Sequence, residues 1–521
     1  MDERIQVGQH LFTGFAGPGI PADFARAVRE HKIGNVILFA RNVRSAAQLK
    51  ALCADIQTLV IGATGHPAFI AIDQEGGAVS RLSADCTLIP GAMAIAATGQ
   101  TENAHLAGQI TGRELLALGI NFNLAPVLDI NSNPDNPVIG VRSYGDTPQN
   151  AINFGLKMAQ GLTESGLLCC AKHFPGHGDT AVDSHVGLPM ISKSLTELLA
   201  FELLPFQAAI KAGIPGVMST HILFPQIETE GVPATMSRTI MTDLLRKRLG
   251  FNGLILSDCM MMAAIADHYG TVNGMDRAVQ AGVDLVFASH SAELAARAAE
   301  QILRSLRSGV LNAAQLQAST ERILRHKQML RPPEIEAFMM VGGPEHRQLA
   351  QSLHEQALTA VRLPPGGLPP LGASPLFIGC LPFEISQADT PDAAAVCFAE
   401  DLRSSLGGRA FVMSDNPDPE ETARIAALAE GHSCLVLGTY YARQRPGQLA
   451  VARALIQTGL PLIIIALGGP YDLSGLPSHI SAIAAYAYNP PTLRALSRLL
   501  AGEISAQGRL PVALKEAKNH V

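Results

Sequence analysis

The apolar run Gly166-Leu-Leu-Cys-Cys-Ala171 continues directly into Lys172-His-Phe-Pro-Gly-His-Gly-Asp-Thr-Ala-Val-Asp-Ser-His185. The first run is typical of a buried strand, whereas the proline and two glycines of the second exclude a regular helix or an interior strand. One lysine, three histidines and two aspartates crowd this loop, and loops on rigid scaffolds are where catalytic groups collect. The two segments therefore predict a strand that ends in a site able to hold a polar ligand and to move protons.

The same unit, a short β-type run followed by a polar residue, recurs along the first part of the chain. Eight such runs alternate with helical stretches rich in alanine and leucine, at residues 8–15, 34–39, 68–72, 121–126, 167–171, 216–220, 253–257 and 283–288. Eight alternating units predict an α/β fold whose parallel strands close into a TIM-type (β/α)8 barrel. Polar residues lie at or just beyond the ends of several runs, namely Asp73, Asp129, Lys172, His173, His221 and Asp258. Barrel enzymes build their active sites at that end of the strands, whereas an open doubly wound sheet does not spread polar groups over so many strands.

A chain of 521 residues is long for one hydrophobic core, and two or three domains are expected. The barrel is predicted over residues 1–340, because helix-breaking prolines and glycines follow its last helical stretch. A linker is predicted over 341–370, ending in a rigid connector rich in proline and glycine. Strand-like runs with intervening helices then predict a smaller α/β sandwich domain over 371–521, with the runs at 375–381, 410–414, 434–440 and 460–467.

The composition is typical of a well-buried α/β protein, with 47% hydrophobic and only 16% charged residues. The formal net charge of −6 gives the chain no excess of positive charge that would attract nucleic acid or an anionic membrane, and we expect neither as a partner. The first residues lack the pattern of a signal peptide, and no apolar run reaches the length of a membrane span. The eight cysteines are scattered without Cys-x-x-Cys spacing, which is typical of reduced thiols in a cytoplasmic protein.

The loop at residues 172–185 resembles the signature of glycoside hydrolase family 3, in its β-N-acetylglucosaminidase branch. Three other segments agree with that family and follow in its order: Asp73-Gln-Glu-Gly-Gly77 with Arg81, Val138-Ile-Gly-Val-Arg-Ser-Tyr-Gly145, and Leu256-Ser-Asp-Cys-Met-Met261. Segments 467–473 and 508–512 resemble the C-terminal sandwich of two-domain members. The resemblance implies a saccharide substrate with β-linked N-acetylglucosamine (GlcNAc), and a role in peptidoglycan recycling.

Asp258 is the candidate nucleophile. It ends an apolar run, where a carboxylate is poorly solvated unless cations or substrate hydroxyls surround it. An aspartate before Cys-Met-Met-Met-Ala-Ala is also a good helix N-cap, and the residues alone leave both roles open. The resemblance implies the nucleophile of a retaining glycosidase. The family usually has Asp or Ala at the next position, where this chain has Cys259.

His185 and Asp183 are the candidate acid/base pair. An aspartate two residues before a histidine can accept a hydrogen bond from one ring nitrogen while the other faces the substrate. The resemblance implies the same dyad in place of the second carboxylic acid that most glycosidases use. A loop histidine that Asp183 holds for purely structural reasons is the alternative interpretation.

A zinc site is the rival interpretation of this loop, because His-x-x-x-His and Asp-x-His spacings also bind zinc. Two features oppose it: Pro-Gly separates the first two histidines, and the adjacent Lys172 would repel a divalent cation. We therefore predict no metal and no cofactor. His177 and Asp179 are predicted to brace the loop instead.

Five further residues map onto the glycone-binding positions of the family, which the resemblance implies for Asp73, Arg81, Arg142, Lys172 and His173. An aspartate there can accept from two ring hydroxyls, and the cations can donate to others and balance its charge. Ordinary ion pairing is the alternative for the two arginines. The role of Glu75 stays open, and the glycines after it predict a turn rather than a phosphate cradle.

The leading functional prediction is an exo-acting β-N-acetylglucosaminidase that works by double displacement, with all catalytic groups in the barrel. Inorganic phosphate is an alternative acceptor, because a neutral or cationic His185 would not repel it as a carboxylate would. The competing classes are a zinc-dependent hydrolase and a sugar-binding protein that has kept the fold without the activity, since a fold alone does not establish function.

Overall fold

The computed structural model describes residues 1–180, 183, 187–331, 336–384 and 396–514. Within them, eight parallel strands pair in chain order and close into a barrel, as predicted from the sequence. The strands are β1 (Leu11–Thr13), β2 (Asn35–Leu38), β3 (Phe69–Ile72), β4 (Phe122–Asn123), β5 (Leu168–Phe174), β6 (Gly216–Ser219), β7 (Leu254–Cys259) and β8 (Leu285–Ala288).

Helices pack around this barrel, and several begin at the residue types that cap helix N-termini. Ser45 accepts a hydrogen bond from the backbone of Gln48, and Ser194 forms a capping box with Glu197. A π-helix spans Thr239–Arg248. The α-helices are α1 (Glu3–Gly8), α2 (Ala22–His31), α3 (Ala46–Thr64), α4 (Ala92–Ala97), α5 (Thr101–Ala117), α6 (Pro148–Glu164), α7 (Leu195–Ala200), α8 (Leu204–Lys211), α9 (Ala263–Ala266), α10 (Thr271–Ala281), α11 (Ala292–Arg307) and α12 (Ala313–Gln328).

The barrel interior is filled with side chains. Every barrel strand contributes at least one buried apolar residue to it, and the aromatic rings of Phe12 and Phe287 stack 4.3 Å apart across β1 and β8. A larger apolar core lies between the strands and the surrounding helices. The polar residues at the strand ends therefore stand on a packed and rigid base.

The second domain is a six-stranded sheet in the order β11-β10-β12-β13-β14-β9, parallel except for β9. Its strands are β9 (Thr359–Arg362), β10 (Pro375–Gly379), β11 (Arg409–Val412), β12 (Cys434–Thr439), β13 (Leu462–Ala466) and β14 (Ser481–Ala484). The accompanying helices are α13 (Pro344–Ala357), α14 (Phe398–Leu406), α15 (Pro419–Leu428), α16 (Pro446–Gln457) and α17 (Pro490–Leu500). Alternate residues of the central strands enter separate apolar clusters, so both faces of the sheet are covered.

The sequence predicted four of these six strands. It did not indicate β14, a four-residue run of small and apolar residues, nor β9, which lies inside the segment predicted as a linker. Because β9 pairs with β14 as the edge of the second sheet, we propose that the second domain begins before residue 371.

The two domains share an apolar interface. One apolar cluster of the second sheet includes Met93, Val141 and neighbouring barrel residues, and Asn131 donates to the hydroxyl of Tyr471 at 2.7 Å. Helix α13 packs against α4 and α5 of the barrel. In the described part of the chain, no helix is both long and apolar enough to cross a membrane.

Candidate active site

A cavity of about 360 Å³ opens at the C-terminal ends of the barrel strands. The sequence assigns eight residues to the site, and six of them line this cavity: Asp73, Arg81, Arg142, Lys172, His173 and Asp258. They follow or end β3, β4, β5 and β7, so residues far apart in the chain converge because their strands end at the same face.

A buried ion-pair network forms one wall of the cavity. Glu75 accepts hydrogen bonds from Nε and Nη2 of Arg142 at 2.9 and 2.8 Å, and Lys172 Nζ lies 2.6 Å from Glu75 Oε1. Burial alone would raise the pKa of Glu75, but Arg142 and Lys172 hold that pKa well below its usual range. The network is therefore charged and held in place by its own contacts.

Asp73 is the part of this network that faces the cavity. Its Oδ1 accepts a hydrogen bond from Lys172 Nζ at 2.8 Å, and 19% of its side chain is exposed, against 2% for Lys172. Burial lowers the pKa of Lys172, but Asp73 and Glu75 outweigh that effect and raise it. The fixed ammonium thus orients a carboxylate that can accept from two hydroxyls of a ligand.

His173 is oriented from behind by Asp129. Oδ2 of Asp129 lies 2.6 Å from Nδ1 of His173 and accepts its backbone N–H at 3.1 Å, while Oδ1 accepts the backbone N–H of His177 at 2.7 Å. Burial would raise the pKa of Asp129, but His173 holds it below its ordinary value. A carboxylate at Nδ1 fixes the ring and leaves Nε2 as the atom available to a ligand.

Asp258 lies near the end of β7, half-buried, and lines the cavity. Its Oδ1 accepts the backbone N–H of Cys259 at 2.7 Å. The next helix, α9, has Met262 as its N-cap, so Asp258 does not cap it. The carboxylate thus belongs to the cavity rather than to a helix end.

Cys259 and His221 support this strand end. Burial raises the pKa of the Cys259 thiol, which disfavours the thiolate that a cysteine nucleophile requires. His221 bonds through Nε2 to the backbone carbonyl of Cys259 at 3.0 Å and through Nδ1 to Thr235 at 2.9 Å. His221 therefore connects Thr235 to the end of β7.

The predicted acid/base pair falls at the edge of the described chain. Asp183 is half-buried, and its backbone carbonyl accepts a hydrogen bond from the N–H of Gly187 at 3.0 Å. His185 lies outside the described residues, so its pairing with Asp183 stays a prediction.

Comparisons with known proteins identify the family of this chain. Residues 7–326 match the family model described as the glycosyl hydrolase family 3 N terminal domain, which spans more than half of the chain. The chain belongs to glycosyl hydrolase family 3. It is therefore an enzyme of this class, as predicted.

Two relatives match almost the whole of this family 3 chain. Beta-hexosaminidase A of Pseudoalteromonas piscicida is 32% identical over 95% of this chain and 91% of its own length. The structure of a family 3 beta-N-acetylglucosaminidase from Paenibacillus sp. str. FPU-7 is 35% identical, with a TM-score of 0.92 over 99% of both chains. A beta-hexosaminidase of Thiobacillus denitrificans is 34% identical over 55% of this chain and 79% of its own.

The loop that follows β5 in this family 3 barrel is braced by its own polar residues. Nδ1 of His177 lies 2.9 Å from the hydroxyl of Thr180, and Asp179 pairs with Lys193 at 2.8 Å. Burial, together with His173, lowers the pKa of His177 to about 4. Residues that the sequence leaves open as zinc ligands thus have other partners. In the described ranges no three His, Cys, Asp or Glu side chains form a metal-binding group.

Arg41 and His290 were not predicted from the sequence as site residues. The sequence also did not indicate that Glu75 would lie at the centre of the ion-pair network. Arg41 follows β2 and His290 follows β8, and both line the cavity. The guanidinium of Arg41 lies 4.4 Å from the ring centre of Phe39, which the imidazole of His290 also contacts. Their positions just after barrel strands were the available signal, and the same rule that selected Asp73 would have selected them.

Proposed function

We propose that this chain is an exo-acting, retaining β-N-acetylhexosaminidase that removes terminal β-linked GlcNAc from saccharides. The observation that carries the proposal is the common cavity that Asp258 lines together with the fixed network of Asp73, Lys172 and Glu75. A carboxylate poised beside an array of hydroxyl-binding groups is what glycosidic cleavage through an oxocarbenium-like transition state requires. The names of the relatives, beta-hexosaminidase and beta-N-acetylglucosaminidase, support the choice of sugar.

The network supports removal of a terminal sugar. Arg142 directs Nε, Nη1 and Nη2 to Glu75 and to the carbonyl of Val138, and it does so within the cavity wall. Asp73 and His173, together with Arg81 and the remaining N–H groups of Arg142 and Lys172, can then bind the hydroxyls of the sugar whose bond is cleaved. Exo action is part of this proposal, in which the buried wall of charged groups binds the terminal sugar.

In the proposed reaction Asp258 attacks the anomeric carbon, and the glycosidic bond breaks as the leaving oxygen takes a proton from His185. The product of this step is a covalent glycosyl ester of Asp258, with inverted configuration. His185 then accepts a proton from the incoming water, which displaces Asp258 and restores the original configuration. Asp183 orients the imidazole of His185 during both steps.

A second candidate is a phosphorylase, in which phosphate replaces water in the second step. Arg41 favours it: this exposed guanidinium lines the cavity and donates to the carbonyl oxygens of Phe15 and Ser289, but makes no ion pair within the described ranges. A guanidinium without a carboxylate partner beside a reaction centre suits an oxyanion. Arg41 would then bind the acceptor that His185 does not repel.

Product analysis separates the two candidates. The enzyme is incubated with 4-nitrophenyl β-N-acetylglucosaminide, with and without ~10 mM phosphate, a concentration roughly tenfold above the upper end of typical KM values. Free GlcNAc under both conditions supports the hydrolase, and GlcNAc-1-phosphate with faster turnover supports the phosphorylase. An α-configured initial sugar product in water, or no cleavage of any β-GlcNAc glycoside, would contradict the proposed function.

A further inference from the structure

A cavity of about 280 Å³ opens at the N-terminal end of the barrel strands, the opposite end from the catalytic cavity. Asp284, the residue just before β8, pairs with Arg246 of the cavity wall and accepts the backbone N–H of Ile255 near the start of β7. We call this space the arginine cavity, because three arginines line it: Arg238, Arg246 and Arg322.

The wall of the arginine cavity carries an excess of positive charge. The lining residues that the structure describes include three arginines but no aspartate or glutamate. One carboxylate lies behind the wall, that of the fully buried Asp284, which pairs with Arg246 at 2.7 Å and with Arg322 at 3.0 Å. Arg238 makes no ion pair in the described part of the chain, and its side chain bonds to the amide of Gln315. Three guanidinium groups therefore share one carboxylate, although a structural ion pair needs only one cation.

Asp284 has no capacity left to balance this charge. Its Oδ2 accepts hydrogen bonds from Nη2 of Arg246 and from the backbone of Ile255. Its Oδ1 accepts hydrogen bonds from Nη2 of Arg322 and from the hydroxyl of Ser319. Burial, together with Arg322, lowers the pKa of Arg246 below its ordinary value, although Asp284 acts against this shift. The ion pairs thus tie β7 to β8 but leave positive charge uncompensated at the cavity.

Two of the arginines keep N–H groups that a ligand can use. The side chain of Arg238 donates through Nη1 to Oε1 of Gln315 at 3.2 Å. Arg322 directs Nε and Nη2 to Asp284. A guanidinium carries a donor on every nitrogen, so each of these side chains has more N–H groups than its described contacts use.

The helix ends around the cavity also favour an anion. Helix α12 begins at Ala313, and its N-cap Asn312 lines the cavity, so the positive end of the helix dipole lies at the wall. Helix α10 ends at the same wall. Gln315 donates to two carbonyl groups in the last turn of α10, those of Val279 and Gln280, at 2.9 and 3.2 Å. The negative end of α10 is therefore capped by the protein itself.

The chemistry and size of the cavity select the class of ligand. Planar guanidinium groups bind oxyanions through paired hydrogen bonds, and several of them around one cavity suit a group with several charged oxygens. A volume of 280 Å³ lies at the lower end of ligand pockets, which span about 300–1,000 Å³. Val283 and Leu316 also line the cavity and offer an apolar surface to a small organic group.

We propose that the arginine cavity binds a phosphate group, either as inorganic phosphate or as the monoester of a small molecule. The site lies at the opposite end of the barrel from Asp258, and the proposal is independent of the sugar and of the acceptor in the catalytic cavity. Because Asp284 joins the site to the starts of β7 and β8, a bound phosphate group stabilises the folded barrel.

Two variants of the full-length protein test this site, Arg238→Gln and Arg322→Lys. The side chain of Arg238 is exposed and contacts only Gln315 in the described part of the chain, so its replacement should not impair folding. Lysine at position 322 keeps the charge that pairs with Asp284 but removes the planar fork of donors.

Two further variants are controls. Arg248→Gln removes the same charge from an exposed arginine at the other end of the π-helix that follows Arg238, and Arg248 does not line the cavity. Arg41→Gln reports any phosphate that binds in the catalytic cavity, because Arg41 lines that cavity.

Isothermal titration calorimetry at constant ionic strength measures the affinity for inorganic phosphate and for glucose 6-phosphate. Arg238→Gln and Arg322→Lys should each weaken the tighter of the two interactions about tenfold, which corresponds to ~1.4 kcal/mol, close to the contribution of one hydrogen bond to a charged group. Both controls should stay within about twofold of the wild type. Tighter binding of glucose 6-phosphate identifies a monoester as the ligand, and tighter binding of inorganic phosphate identifies the free ion.

Three results would overturn the site. They are the absence of binding of either compound to the wild type, binding that Arg238→Gln and Arg322→Lys leave unchanged, and a loss in Arg248→Gln as large as that in Arg238→Gln. The last result would show an effect of net charge alone. Each of them would leave the proposed function intact, because that function depends on the cavity at the other end of the barrel.

Discussion

Arg142 and Glu75 are 67 residues apart in the chain, yet they meet through two N–H···O hydrogen bonds of 2.9 and 2.8 Å inside the wall of the catalytic cavity. The Nζ atom of Lys172 lies 2.6 Å from the same Glu75 carboxylate and 2.8 Å from the carboxylate of Asp73. Glu75 is thus the group that places two cations, although it is itself nearly inaccessible to a ligand. We regard it as a positioning residue for Asp73 and Lys172.

Glu75→Gln should therefore damage both the fold and the reaction. Removal of one partner from a buried ion pair leaves the other charges uncompensated, and we expect a loss of about 3–5 kcal/mol in the free energy of unfolding. We also expect kcat/KM to fall at least 100-fold (about 2.7 kcal/mol of transition-state stabilisation). Urea unfolding and steady-state kinetics measure the two effects.

Glu102→Gln is the matched control for that experiment. Glu102 pairs with Lys157 at 2.6 Å, but its side chain is 69% exposed, and such surface pairs contribute little. The control should change neither stability nor kcat/KM appreciably. Equal and small effects of the two substitutions would mean that Glu75 does not organise the site.

Buried neutral histidines should make the protein sensitive to acid. His354 bonds to Thr492 and to the carbonyl of Leu88, and burial lowers its pKa from 6.5 to about 4. The unfolded chain binds this proton more readily between those values, so the free energy of unfolding falls as the pH drops from 6.5 to 4. Above pH 6.5 the contribution is fully present and constant.

The substitution His354→Gln removes one of these histidines without touching the catalytic cavity, because His354 does not line that cavity. The variant should show a weaker dependence of stability on pH between 6.5 and 4, by about 1.4 kcal/mol per pH unit at most. The free energy of unfolding of both proteins is measured by denaturant titration at about pH 7, 6, 5 and 4, which covers the range between the two pKa values of His354. Parallel curves for wild type and variant would show that folding does not lower the pKa of His354.

His185→Ala should affect substrates according to their leaving groups. An activated aryl aglycone needs little protonation as it departs, whereas an alkyl or sugar aglycone needs a full proton transfer. We expect about a 100-fold larger loss on the poor leaving groups, within the usual range for general acid catalysis. Asp183→Ala should give a milder version of the same pattern, because His185 remains but is less well oriented. Equal losses on good and poor leaving groups would exclude His185 as the acid.

Much of the barrel was predictable because its signals are local. Each strand is a short apolar run, and residues such as Asp73 and Asp258 mark the C-terminal end of a strand, which in a closed barrel must share one face with the others. Two strands of the second sheet were missed for equally local reasons. β14 is short and rich in alanine, and β9 follows a helix directly within a stretch whose prolines predict a linker.

The contacts between these residues were not predictable from local sequence. Nothing near Glu75 indicates that it meets Arg142 rather than solvent, and nothing near Asp129 indicates that it orients His173. Such pairings depend on how strands from separate βα units are placed around the barrel. The interface between the two domains depends on a further step, the docking of the second sheet against the barrel, and so left no motif in either domain.

The central claim is that Asp258 forms a covalent bond to the sugar. The most direct test is to incubate the enzyme with a slow β-GlcNAc analogue that carries a fluorine on the sugar ring, and then to map the modified peptide by mass spectrometry. Our account predicts one sugar per chain, attached at Asp258, and no labelling of Asp258→Asn, whose turnover should fall more than about 100-fold. A sugar attached to another residue, or an Asp258→Asn variant with substantial activity, would contradict it.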